Sequence, residues 1–237
     1  MAEHAKPPKI RRKDLRQPDE FETLTGQALD FARTHRTAVV TVTGVLVAVG
    51  VAAVAFAQWR ASQSEAAAVA FWGAHEAFAA KRFDEAGRAF AELADKYPGT
   101  PSGRLAPLYR AHAMARQGDN AAAATGYAEY LARGPETPYL RQEALLDLGH
   151  AKEAGDDAAG ALDVFTQAGA IAGPFKREAL LAAARVQEAA GRAAEAQAIY
   201  AQLLKEAPDP ELRAFLVGKL PPGSAEGNPT AQAVDVR

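Results

Sequence analysis

Three of the five histidines, His75, His112 and His150, recur 37 and 38 residues apart, and Arg185 continues the series 35 residues later. Four residues before each stands a large apolar side chain: Phe71, Leu108, Leu146 and Leu181. On an α-helix, a spacing of four puts two side chains on one face, one turn apart. Such a face carries an apolar strip beside a strip of hydrogen-bonding, partly cationic groups. Leucines take up apolar side chains and imidazoles pair with backbone carbonyls, so the implied chemistry is recognition of an extended or partly unfolded chain. Zinc binding by the histidine column is the sharper alternative, and geometry opposes it. Packed helices stand ~8–10 Å apart. Imidazoles so spaced do not converge on one ion at bonds of ~2 Å. The expectation is a protein- or peptide-binding groove formed by these eight residues, with no metal and no cofactor. In the competing arrangement the leucines pack between helices and the histidines merely cap grooves.

Catalysis has no comparable signal. The four serines, Ser62, Ser64, Ser102 and Ser224, lie in no G-x-S-x-G turn, and no glycine-rich phosphate loop follows a strand. The chain has no cysteine, so it has neither a disulfide nor a thiolate metal site. Acids such as Glu143, Glu153 and Glu188 read as solvated helix faces. Residues 1–37 carry eight cations and six acids. That leaves 19 cations and 23 acids on residues 58–237, a net charge of −4, which gives no drive toward nucleic acid. The reading is a binding protein and not an enzyme.

The elements that position the two columns follow from an internal repeat. A small residue, an aromatic four later and a proline about eight beyond that recur four times: Ala86/Phe90/Pro98, Ala123/Tyr127/Pro135, Ala161/Phe165/Pro174 and Ala196/Tyr200/Pro208. The alanines are 37, 38 and 35 apart. Turn signals precede them at Lys81–Asp84, Gly118–Asn120, Gly155–Asp157 and Gly191-Arg192. Alanine lets two helices approach closely, the aromatic fills the space between repeats, and proline stops the second helix. Together with Leu145, Leu148 and Gly149 in unit three, these positions resemble the tetratricopeptide repeat, W-x2-L-G…A-x3-F…P. Lys152 departs from it, standing where an aromatic is usual. The predicted hairpins are 62–80 with 84–97, 103–117 with 120–133, 139–154 with 158–171, and 176–190 with 193–206. Glu211–Leu220 is expected to cap them, and 221–237, rich in Pro and Gly, reads as a disordered tail. The 58 alanines favour helix throughout.

Upstream lies an apolar run. Ala38–Ala57 has no charge for twenty residues. At ~1.5 Å per residue that is a bilayer's hydrocarbon thickness. Eight cations precede it and one, Arg60, lies in the twenty residues after it, so the N-terminus is expected in the cytoplasm and the body across the membrane. Trp59 falls at the outer interface. Ala55-Phe56-Ala57 matches a signal-peptidase site, but the apolar run exceeds the ~7–15 residues of a signal core. An uncleaved anchor is the favoured reading. Thr41, Gly44, Ala48 and Ala52 permit close helix–helix contact, which leaves self-association open, although small residues are common in any alanine-rich span. Before the span, Pro18-Asp19-Glu20 opens a short amphipathic helix carrying Phe21, Leu24, Ala28 and Phe31.

The order of basic leader, Pro-Asp-Glu-Phe helix, single span, Trp59-Arg60 and alanine-rich repeats resembles the YfgM-like family of ancillary bacterial Sec translocon subunits, over residues ~18–220. The resemblance implies a bacterial inner-membrane protein with a periplasmic repeat domain. Its partners would be translocon subunits, periplasmic chaperones or unfolded client chains, and the first-helix columns would line its concave surface. A scaffold for division or outer-membrane assembly is the alternative. The expected fold is all-α: a cytoplasmic leader 1–37, a transmembrane helix 38–57, a tetratricopeptide-like α-solenoid of about four hairpins over 58–220, and the tail.

Overall fold

The computed structural model describes residues 26, 29–135, 137–207 and 209–222. The start of the expected leader helix at Pro18, the repeat proline Pro208 and the tail from residue 223 lie outside them. Among the described residues the regular structure is all helix. Nine helices of nine residues or more follow one another: α1 (Arg36–Ala79), α2 (Phe83–Lys96), α3 (Pro101–Gln117), α4 (Asn120–Ala132), α5 (Pro138–Ala154), α6 (Ala158–Ala170), α7 (Lys176–Ala189), α8 (Ala193–Glu206) and α9 (Pro210–Gly218). From α2 onward each packs on the next, which is the connectivity of an α-solenoid.

Local sequence sets the boundaries. The helices that open hairpins two and three, and α9, begin Thr100-Pro101, Thr137-Pro138 and Asp209-Pro210. The Thr or Asp oxygen accepts from a backbone N–H three residues on, and the proline occupies a position that needs no N–H. Asp119 and Asp157 cap α4 and α6 in the same way. Every turn inside a hairpin contains one residue with left-handed backbone, five before the repeat alanine: Lys81 (φ 61°), Gly118 (φ 86°), Asp156 (φ 64°) and Gly191 (φ 73°). Glycine takes that conformation without steric cost, and at Lys81 and Asp156 a Cβ is accommodated instead.

The repeat residues form the core. Ala86, Ala123, Ala161 and Ala196 are buried, as are Phe90, Tyr127, Phe165 and Tyr200. They fall into three successive apolar clusters, centred on Phe90, on Phe165 with Tyr127, and on Tyr200. Gly149 of α5 lies directly against the Phe165 ring, so any larger residue there would collide with it. Gln142 is the one large polar side chain in this core. Its amide donates to the carbonyls of Ala168 (3.0 Å) and Ile171 (2.8 Å) and accepts from the Phe175 N–H (3.2 Å). It thereby holds the connector between α6 and α7, with its hydrogen-bonding capacity largely used.

The chain divides into two compact units, 1–61 and 62–237, and α1 contributes to both. In the first unit the apolar stretch of α1 is long enough to cross a membrane, and none of its most apolar window is buried. Val40, Leu46, Val51 and Val54 are all more than half exposed. In the second unit the end of α1 supplies Ala67, Ala74 and Ala77 to the first repeat cluster.

Phe165 is fully buried at the centre of the largest cluster. Phe165→Ala is expected to lower stability by about 3–5 kcal/mol, read as the shift of the denaturant midpoint of the full-length chain.

Candidate functional site

The two columns read from the sequence meet different fates. Leu108 and Leu146 are 1% and 4% exposed and sit in the central cluster with Tyr127 and Phe165. The expectation that they line an open groove is corrected here: the adjoining hairpin covers them, and they offer no surface to a ligand. Leu181 is half-buried beside the last cluster, and Phe71 is half-buried against the first.

The second column does reach from repeat to repeat. On α3, the His112 imidazole donates through Nε2 to Asp147 Oδ2 of α5 at 2.8 Å. On α7, Arg185 makes a two-pronged ion pair with Glu153 of α5, with Nη2 2.7 Å from Oε2. Next along, Glu188 receives Lys219 Nζ at 2.8 Å and the Tyr200 hydroxyl at 3.1 Å. His75 and His150 contact rings instead. His75 lies 6.0 Å from Tyr109 and 6.4 Å from Phe71, and His150 lies 5.0 Å from Phe165, centroid to centroid. At the front of the array Phe71 meets Tyr109 edge-on at 5.0 Å. The first-helix face is thus crossed by one contact at each repeat boundary, aromatic at the front and ionic at the back.

Glu143, Glu153 and Glu188 were expected to be simple solvated faces, and all three depart from that. Glu153 and Glu188 are paired as above. Glu143 is half-buried on α5, one turn before Asp147, and burial pushes its carboxyl above the usual range while His112 opposes the rise. Burial, with Asp147 and Glu143 nearby, also holds the Tyr127 phenol well above its ordinary value. The side chains around His112 therefore concentrate negative charge in a partly dry place. Each residue was visible singly, but the juxtaposition joins positions 11, 14 and 18 before two different repeat alanines, and no local pattern links them.

Two concave regions adjoin this face. One, about 330 Å³, is lined by His150, Leu181 and Arg185 of the columns together with Glu178, Tyr200 and Phe215. The other, about 410 Å³, is lined by Phe71, Pro98, Pro101, Leu105, Tyr130 and Leu140 among others. The second was missed in the sequence. Its lining comes from helix starts and loops of three consecutive repeats, and the prolines there were read only as helix stops.

Comparison with known proteins gives the class. Residues 30–172 match the family model described as tetratricopeptide repeat-like domain, and residues 178–210 match the tetratricopeptide repeat. The first match spans more than half of the chain, which belongs to the tetratricopeptide repeat-like domain family. No curated protein matches it. Among solved structures it is similar to nearly identical TPR-like repeats of a Podosopora anserina protein named as a kinesin light chain, with 17% identity and a TM-score of 0.52, covering 64% of this chain and 82% of that one. A singly substituted form of those repeats gives a TM-score of 0.53 at the same identity and coverage. The TPR2AB-domain:pHSP90 complex of yeast Sti1 aligns at 14% identity and a TM-score of 0.41, covering 65% of this chain and 71% of that one. These structures share the fold.

Two outcomes test the site description. Leu108→Ser with Leu146→Ser is expected to unfold the repeat domain, because each truncation alone costs about 2–5 kcal/mol in a core. Leu181→Ser leaves the circular dichroism spectrum and the cooperative melt in place. If the pair of core changes left a folded, cooperative domain, the burial assigned to these leucines would be wrong. For Glu143 the sign follows from its raised carboxyl. The folded state favours the protonated form, so the native chain loses stability as pH rises from the ordinary value of 4.5 through the folded-state value. Glu143→Gln escapes that loss. It should be at least as stable as the native chain at neutral pH, and its advantage should shrink as pH falls below the ordinary carboxylate range, as measured by denaturant midpoints at both pH values.

Proposed function

We propose that this chain is a membrane-anchored scaffold that binds other proteins, with its repeat domain in the bacterial periplasm, and that it serves as an ancillary translocon subunit or chaperone-like factor for secreted proteins. Membership of the tetratricopeptide repeat-like domain family supports protein binding as the biochemical role, and neither matched family is catalytic. The observation that carries the anchoring is the bare apolar stretch of α1. An apolar segment that no other part of the chain covers needs another apolar medium, and a bilayer supplies one. The excess of cations on its N-terminal side supports a cytoplasmic N-terminus. The resemblance to the YfgM-like family supports the translocon as the partner. In this reading the functional boundaries are a leader 1–37, a span 38–57, a repeat domain 58–220 and a tail.

Client recognition is assigned to the region around His150, Leu181 and Arg185. It is concave, it carries a partly exposed leucine, and its polar groups suit the backbone of an extended chain. Phe71, His75 and His112 extend the same face toward the first repeat.

Two experiments test this. Protease added outside spheroplasts should digest the repeats and leave a protected N-terminal fragment of about 36 residues plus the span. A mature chain starting at Gln58 would show a cleaved signal instead of an anchor. A photo-crosslinking residue at Leu181, activated in native membranes, should capture translocon subunits or a nascent secreted chain. Capture restricted to division or outer-membrane assembly proteins would replace the translocon assignment with another envelope scaffold.

A further inference from the structure

His112, Glu143 and Asp147 each offer one ligand atom, and these three atoms lie within 4.8 Å of one another. Two donors on one zinc ion, at bonds of ~2.0–2.2 Å, stand at most about 4.4 Å apart. A closure of a few tenths of an ångström therefore brings all three onto one centre. Glu143 and Asp147 are four apart on α5 and so project from one face one turn apart. His112 comes from α3, in the preceding hairpin, already 2.8 Å from Asp147. We propose that these three side chains form a site for a single divalent transition-metal ion of the zinc class, which ties the second hairpin to the third.

The surroundings give the site a purpose. Glu143 has no hydrogen-bond or ion-pair partner among the described residues, although it is half-buried next to a second carboxylate. Two neighbouring carboxylates removed from water repel one another, and a dication between them offsets both the repulsion and the lost hydration. Tyr109 and Tyr127 wall the imidazole at 5.4 and 5.5 Å between ring centroids, which limits water on that side. One imidazole and two carboxylates are a donor set that zinc accepts. Bound through Nε2, the imidazole carries its proton on Nδ1. Three protein donors leave the fourth tetrahedral position to water. This is not the ion excluded for the histidine column. His75 and His150 stand in neighbouring repeats and take no part, and the two missing donors come from the turn of α5 that faces His112.

The test uses the full-length chain in detergent, stripped with chelator, dialysed and titrated with zinc chloride alone. Calorimetry and metal analysis are expected to find one zinc per chain at this site, with a rise in melting temperature that magnesium does not produce. Glu143→Gln and Asp147→Asn should each weaken that binding at least about tenfold, and His112→Ala should abolish the thermal shift. Should His112→Ala misfold, Glu143→Gln still decides, because that residue has no partner in the fold to lose. Absence of zinc uptake, or uptake and thermal shift unchanged in Glu143→Gln, overturns the proposal. The second result would place the bound zinc elsewhere on the chain.

Discussion

Everything in the repeat domain depends on one close approach, repeated four times: an alanine on the second helix of a hairpin, with an aromatic ring one turn later. Ala86, Ala123, Ala161 and Ala196 are buried because nothing longer than a methyl group fits where the two helices meet. That closeness leaves the ring one place to go, into the space beside the first helix of its own hairpin. In unit three the ring reaches so far that Gly149 must stand opposite it. No hairpin can bury its ring alone. Each exposes one side until the next hairpin covers it, which is why the apolar clusters run on from unit to unit. The leucines of the first helices are covered by the same stacking.

The polar contacts on the first-helix face play a different part. Exposed ion pairs such as Arg185 with Glu153 contribute roughly 0–1 kcal/mol, a small amount beside a buried ring. They do not hold the solenoid together. They sit where one hairpin must find its register on the next, and pairs of opposite sign favour one register over its neighbours. At the second boundary the match is incomplete. Asp147 has His112, but Glu143 faces the same imidazole without a partner. A stacking interface that leaves half-buried charge unpaired departs from its own local rule, and such departures mark function more often than they mark carelessness.

Helix α1 answers to two environments. Up to about Phe56 its apolar side chains are bare, and from Ala67 its alanines are buried among repeat residues. A single run of helical hydrogen bonds serves both, because the helix satisfies its own backbone whatever medium surrounds it. The W-x2-L-G signature of a first repeat helix is absent there, which is why that helix was the hardest of the eight to place from sequence.

The sequence alone determined the helices, their phase and their order. The expected and observed ends of α2 to α9 differ by at most two residues. The signals are local: Thr-Pro and Asp-Pro starts, glycine or aspartate turns, and the alanine–aromatic pair at helical spacing. It also placed the apolar span and its charge asymmetry. Tertiary structure decided what local spacing cannot encode. Leu108, Leu146 and Leu181 occupy the same repeat position, yet the first two are sealed and the third is partly open, because burial depends on the hairpin that follows and only a short helix follows Leu181's. Asp156, and not the neighbouring Gly155, takes the left-handed turn, because the residue five before the repeat alanine must turn whatever its type. His112 meets Glu143 and Asp147 across a repeat boundary more than thirty residues long. That meeting depends on how one hairpin rotates on the next, and the packing of buried rings and leucines fixes the rotation, not any pattern along the chain.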